Sequence, residues 1–89
     1  MILYYMLKNN TMKYISLFYT HSGAIKFSNV LKKKEINHKI LPTPRKLSSN
    51  CGISIEFDYE KNITSIIMDD IEKVFLIKDT DYEIVYKSE

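Results

Sequence analysis

The hydrophobic and polar positions of the first half of the chain follow a strand, a helix and a second strand. Residues 13–19 (KYISLFY) are aromatic and β-branched, which is typical of a mostly buried strand. A serine or threonine in the following turn can cap a helix, and from Ala24 the apolar residues follow helical spacing. Residues 36–41 predict a second strand, which ends at Pro42 and Pro44 because proline cannot donate to a ladder.

The second half of the chain begins with a strand pattern and ends with another. Residues 52–57 alternate apolar and polar side chains, which predicts a half-buried strand. Asp58 can cap a second helix, residues 79–81 predict a turn, and residues 82–86 predict the last strand. The second helix is predicted from one set of isoleucine and valine positions at helical spacing: Ile63, Ile66, Ile67, Ile71 and Val74.

This order of elements predicts an α+β fold in one domain. Strand, helix, strand, strand, helix, strand fits a ferredoxin-like βαββαβ two-layer sandwich, with a four-stranded antiparallel or mixed sheet and two helices on one face. We assign residues 12–89 to this domain and residues 1–11 to an N-terminal extension.

The predicted topology brings two loops to one edge of the sheet. Right-handed crossovers make the first and second strands parallel, with the third antiparallel between them. The turn that contains Thr20, His21 and Ser22 then lies opposite the loop of residues 43–52. We therefore expect the cysteine of that loop to lie near a helix N-terminus.

Composition and charge exclude several classes of function. The net charge of +2 over 89 residues is too weak to indicate a nucleic-acid or membrane partner, and the sheet aromatics include no RNA-binding motif. The opening residues lack the features of a secretory signal and are too short to span a bilayer. A single cysteine excludes an internal disulfide and, with only two histidines, argues against a metal site, so we expect a cytoplasmic protein without metal.

The loop "TPRKLSSNCG" has two interpretations. Arg45 carries positive charge and Ser48 and Ser49 can donate hydrogen bonds, which would stabilise a thiolate on Cys51, while Gly52 leaves room for another molecule to approach the sulfur. Alternatively, the prolines and serines are ordinary loop residues, the cations are solvated, and Cys51 fills a gap in the core. His21 is included as a candidate on the same edge, although capping or packing is the more usual role of such a histidine.

The stretch "LPTPRKLSSNCG" resembles the signature of a family of small bacterial proteins called "putative Se/S carrier protein-like". The resemblance extends from about Met12 to the last strand, and Arg45, Ser48, Ser49, Cys51 and Gly52 fit the loop motif. A histidine in the turn after the first strand, here His21, also fits the family pattern.

The resemblance implies a carrier that holds a persulfide or perselenide on Cys51 and needs no cofactor. Such a protein is an accessory protein rather than a stand-alone enzyme, and its partners would be a donor such as a cysteine desulfurase and an acceptor protein. The alternative is a non-catalytic adaptor or anion-binding regulatory module that uses the same loop. The four methionines and the apolar first residues are compatible with a homodimer.

Overall fold

The computed structural model of the chain describes residues 11–47 and 51–89. Within them, five strands form one antiparallel sheet in the order β2-β3-β1-β4-β5, and one α-helix packs on it. The elements are β1 (Met12–Phe18), α1 (His21–Lys33), β2 (His38–Pro42), β3 (Ile53–Tyr59), a 3-10 helix (Ile63–Ile66), β4 (Ile71–Lys78) and β5 (Asp81–Lys87). None of the helices in these residues has the length and apolar composition that crossing a membrane requires.

The first strand and the helix that follows it form where the sequence predicts them. β1 lies at the centre of the sheet, so its residues are buried on both faces from Tyr14 to the strand end. The Thr20 side chain accepts a hydrogen bond of 3.1 Å from the backbone N–H of Gly23, which satisfies one of the free donors of the first turn of α1. Lys32 and Lys33 lie in the last turn, where cations oppose the negative end of the helix.

The predicted ferredoxin-like sandwich, with four strands and two helices, is wrong. The sheet of the described residues has five strands, and α1 is the only α-helix among them. The predicted position of β3, between β1 and β2 and antiparallel to both, is confirmed. The predicted extension of residues 1–11 lies outside the described residues except for Thr11.

The second helix of the prediction is replaced by a 3-10 turn and a strand because a β-bulge imitates helical spacing. Leu17 pairs with Lys73 but Phe18 pairs with Ile71, so Glu72 is an extra residue in β4. The bulge places Ile71 and Val74, three residues apart, in the same buried cluster. The β-branched content of residues 71–77 favours a strand, and β5 then pairs with its outer edge.

The two faces of the sheet are buried in different ways. The face covered by α1, which we call the helix side, contains a closely packed aromatic group: the rings of Phe27 and Phe57 are 5.5 Å apart edge to face, and those of Tyr14 and Phe57 are 5.5 Å apart and stacked. The opposite face, which we call the far face, has a smaller buried cluster. Its members are Ile15, Leu17 and Leu47, with Phe75, Ile77 and Tyr82 packed against them.

The part of the far face nearest β2 is charged rather than apolar. Lys13 lies 3.6 Å from Glu56 and 3.5 Å from Asp58, and Lys39 lies 3.6 Å from Glu56. These are cross-strand neighbours, because Lys13 pairs with Asp58 in the ladder and Lys39 pairs with Glu56. The far face is therefore apolar and buried near β4 and charged, with ion pairs, near β2.

Candidate functional site: the cysteine loop

The loop that carries Cys51 joins β2 to β3 and is closed at its base by Thr43. The ladder of the two strands ends at the pair Pro42 and Ile53. Beyond it, the Thr43 backbone N–H donates to the Gly52 carbonyl at 3.0 Å, and the Thr43 hydroxyl donates to the Cys51 carbonyl at 3.2 Å. Thr43 therefore fixes the backbone on both sides of the peptide bond that follows Cys51.

The next part of the loop is anchored on the far face of the sheet. The Leu47 N–H donates to the Pro44 carbonyl at 3.0 Å, which makes a tight turn, and the Leu47 side chain is 7% exposed against Ile15 and Leu17. Lys46 reaches Asp81 at 3.9 Å, but both side chains are mostly exposed, so this ion pair adds little stability. The loop thus crosses the far face and is held there mainly by one leucine.

Cys51 itself lies on the helix side. It precedes β3 by two residues and continues the alternation of that strand, so its side chain joins the same buried cluster as Ile53, Ile55 and Phe57. The cysteine is reduced and only 4% exposed. In this conformation Cys51 therefore packs as a small apolar residue, as in the second of the two interpretations of the loop.

The start of α1 lies at the same end of the sheet as Cys51. Leu17, near the end of β1, pairs with Ser54 at the start of β3, and Ala24 of the helix belongs to the same buried cluster as Cys51. The predicted juxtaposition of the cysteine loop and the first turn of the helix is thus observed. His21 is exposed at that turn.

A carboxylate that the sequence analysis missed lies against the helix N-terminus. A Cβ atom added to Gly23 would lie 2.8 Å from the Asp70 Cβ and 3.2 Å from its Oδ2, so only glycine allows this approach. Asp70 also forms an ion pair of 3.2 Å with Lys26. The first turn of α1 therefore already faces a negative charge, which reduces its capacity to stabilise a second one on Cys51. No pattern in the sequence indicates this contact, because Asp70 directly precedes β4, whose first residues the pattern predicts as helix.

The other predicted loop residues have different surroundings. Arg45 is exposed, and it takes part in none of the ion pairs between described residues. Gly52 is exposed too, and an added Cβ would meet nothing within 4 Å, so packing does not require glycine there. Ser48 and Ser49 lie outside the described residues, and their predicted role stays a prediction.

The second histidine has a structural role. His38 begins β2, two residues after the predicted start of that strand, and it is half-buried: one ring nitrogen lies 3.0 Å from the Ser28 hydroxyl of α1 and the other 2.8 Å from the Ile36 carbonyl. Among the described residues, no group of three or more histidine, cysteine or acidic side chains could hold a metal ion. Two clefts of the described residues share Asn37 and Asp58 in their linings, at the end of the sheet away from Cys51.

In the part of the chain that the structure describes, the fold is one antiparallel sheet with one α-helix, and the single cysteine of the sequence lies where a strand-connecting loop enters the core. The chain belongs to the family described as "Putative Se/S carrier protein-like", whose sequence profile matches residues 13–86. The match covers β1 to β5 almost completely and includes the whole cysteine loop. Comparison with curated proteins and with solved structures gives no match.

Proposed function

We propose that the protein carries sulfur or selenium as a persulfide or perselenide on Cys51 in the cytoplasm. The observation that carries this proposal is the family match across the complete cysteine loop, together with the fact that Cys51 is the only thiol of the chain. Without a second thiol, no internal disulfide can form and discharge the carried atom. The partners of this reaction are a persulfide donor, such as a cysteine desulfurase, and a thiol-containing acceptor protein.

The proposed transfer is an exchange at sulfur that needs no cofactor. The Cys51 thiolate attacks the outer sulfur of a donor persulfide, the donor's sulfur–sulfur bond breaks, and the donor leaves as a thiolate. The acceptor thiolate then attacks the same outer atom and Cys51 leaves as a thiolate, so the carried atom keeps its oxidation state throughout. Selenium follows the same steps as the outer atom of a perselenide.

The burial of Cys51 adds a requirement to this chemistry. A thiol that is 4% exposed cannot meet a donor protein, so the loop has to open before each transfer. The attachments that must yield are the Leu47 side chain on the far face and the two hydrogen bonds of Thr43. We propose that binding of the partner supplies the free energy of this opening.

Intact-mass measurement tests the carrier function. The purified protein and a Cys51→Ser variant are incubated with a cysteine desulfurase and either cysteine or selenocysteine. We expect the wild-type chain alone to gain one sulfur or selenium atom, which dithiothreitol then removes. If the wild-type chain gains no such atom while small alkylating reagents still modify Cys51, the carrier proposal is wrong.

A second candidate function is an adaptor or anion-binding regulatory module. The burial of Cys51 in the core, together with the exposure of Arg45, favours this alternative because the loop then presents a cation and no thiol to its surroundings. Under this proposal a Cys51→Ser variant keeps its function and an Arg45→Ala variant loses it. Pull-down of the same partner by wild type and by each variant separates the two proposals.

A further inference from the structure

The charges of the chain are strongly separated between its two halves. Residues 21–55 contain seven lysines and arginines but one acidic residue, whereas residues 56–89 contain ten acidic residues and four lysines. Neither α1 nor β2 includes an aspartate or glutamate. In the sheet order β2-β3-β1-β4-β5, the edge formed by β2 and α1 is therefore basic, whereas β4 and β5 together contain three acidic residues and three lysines.

Two exposed isoleucines lie in the middle of the basic edge. Ile25 of α1 is 50% exposed and Ile40 of β2 is 45% exposed. Ile25 precedes Ser28 by about one helical turn, and Ile40 follows His38 by two residues. Because Ser28 contacts His38 and the two elements run in opposite directions, both isoleucines lie on the side of that contact nearest the Cys51 loop. We call the surface between them the α1–β2 groove.

The outer side of β2 is open to another strand. Among residues 11–47 and 51–89, β3 is the only strand that pairs with β2. An open edge presents unpaired N–H and C=O groups, to which an extended segment of another protein can add. Lys39 and Pro42 limit indiscriminate pairing at this edge, since a charge disfavours uncharged strands and proline offers no donor.

We propose that the α1–β2 groove binds an acidic, extended segment of a partner protein. The segment pairs with β2, places central apolar side chains on Ile25 and Ile40, and brings the carboxylates at its ends to cations at the two ends of the groove. These cations are Lys32 and Lys33 in the last turn of α1, beyond the contact between Ser28 and His38, and Arg45 in the loop after β2. Since β2 leads directly into the loop, a partner bound here lies beside the residues that enclose Cys51.

The β5 edge of a second copy of the chain is a less suitable occupant of the α1–β2 groove. β5 contains Asp81 and Glu83 and exposes Ile84 and Val85, so it could pair with β2 of another molecule. Such head-to-tail pairing closes only if the rotation between copies completes a ring, and otherwise it grows into open chains. A different protein satisfies the basic groove without this consequence.

A peptide titration tests the groove. The probe is a strand-length peptide with valines at its centre and glutamates at both ends, and the control peptide has lysine in place of glutamate. We expect the backbone amide signals of residues 38–41 and of the residues around Ile25 to shift on addition of the acidic peptide only. Raising the ionic strength to about 1 M, where the screening length is about 3 Å, should weaken the binding.

Variants at the two edges provide the matched control. Ile40→Glu and Ile25→Glu each place a negative charge in the groove and should weaken peptide binding roughly tenfold or more. Ile84→Glu changes an equally exposed isoleucine on β5 and should leave the binding unchanged. Unchanged amide dispersion in each variant shows that the sheet is intact.

Several results would overturn the docking proposal. These are no saturable shift with the acidic peptide, equal binding of the lysine peptide, shifts centred on β5, or equal weakening by Ile84→Glu. Sedimentation that shows concentration-dependent growth, abolished by both Ile40→Glu and Ile84→Glu, would assign the groove to a second copy instead. The idea that this partner exchanges sulfur or selenium rests on the proposed carrier function. The titration measures only peptide binding and involves no transfer from Cys51, so its result does not depend on the carrier function.

Discussion

The two faces of the sheet bury comparable side chains but differ in what holds them together. On the helix side, Phe27 and Phe57 are 0% and 2% exposed and belong to a continuous core formed by a helix and several strands. On the far face, Leu47 alone brings the cysteine loop onto Ile15 and Leu17. The Cys51 side chain packs on the helix side, whereas the loop that carries it is anchored on the far face through Leu47. The stability of the protein and the accessibility of its thiol are therefore controlled from different faces.

The largest effect is expected from Phe57→Ala on the helix side. Phe57 packs against the rings of Tyr14, Phe27 and Tyr59, so its removal leaves a cavity among aromatic neighbours. We expect the free energy of unfolding to fall by about 3–5 kcal/mol, measured by urea denaturation. The control is Ile84→Ala at an exposed position, which should change it by less than about 0.5 kcal/mol. A loss below about 1 kcal/mol for Phe57→Ala would contradict the central role of the helix-side core.

Leu47→Ala on the far face is expected to lower the free energy of unfolding less than Phe57→Ala does, but to expose Cys51 more. Because the cluster around Leu47 is small, we expect the free energy of unfolding to fall by about 2 kcal/mol, near the low end of the range for such substitutions. The alkylation rate of Cys51 should rise by roughly tenfold or more, because the loop opens without global unfolding. Alkylation kinetics and urea denaturation of the same samples check both numbers.

The comparison with Phe57→Ala decides what Leu47 does. If the alkylation rates of the two variants follow only their global stabilities, access to Cys51 requires unfolding of the whole protein. In that case the distinction between the two faces has no consequence for the thiol.

The smallest effect is expected from Thr43→Val at the base of the loop. Valine keeps the β-branched shape and removes only the hydrogen bond to the Cys51 carbonyl, which contributes about 1 kcal/mol. Ser54→Ala is the matched control, because the Ser54 hydroxyl makes a similar bond of 3.3 Å to the Leu41 carbonyl on the same strand pair. We expect a few-fold faster alkylation of Cys51 in Thr43→Val than in Ser54→Ala. Equal rates in the two variants would show that Thr43 does not control the position of Cys51.

Local patterns in the sequence predicted the first half of the fold and the location of the cysteine loop. Aromatic and β-branched residues identified β1, the cap at Thr20 and helical spacing identified α1, and alternation identified β3. The prediction failed at β4, because the bulge at Glu72 gives Ile71 and Val74 the spacing of a helix. This bulge depends on the pairing of β4 with β1, which cannot be predicted from the local sequence of residues 71–78.

The burial of the candidate site could not be predicted from the sequence for a similar reason. Cys51 is buried because β3 keeps its alternation for two residues before the strand begins and because Leu47 finds a cluster formed by β1 and β4. The contact between Asp70 and Gly23 likewise depends on where β4 begins. Each of these contacts joins elements that are distant in the chain, whereas the residue types of the loop were evident from the sequence itself.

The tight enclosure of Cys51 has a consequence for any form of the protein in which that side chain has grown. Protein interiors are packed at crystal-like density, and an added atom in a filled core typically costs about 1–3 kcal/mol. A sulfur, selenium or oxygen atom on Cys51 therefore destabilises the closed loop and shifts the molecule toward its open form. The empty and loaded proteins then differ in shape as well as in mass, so another protein could distinguish them by surface alone, before any bond is exchanged.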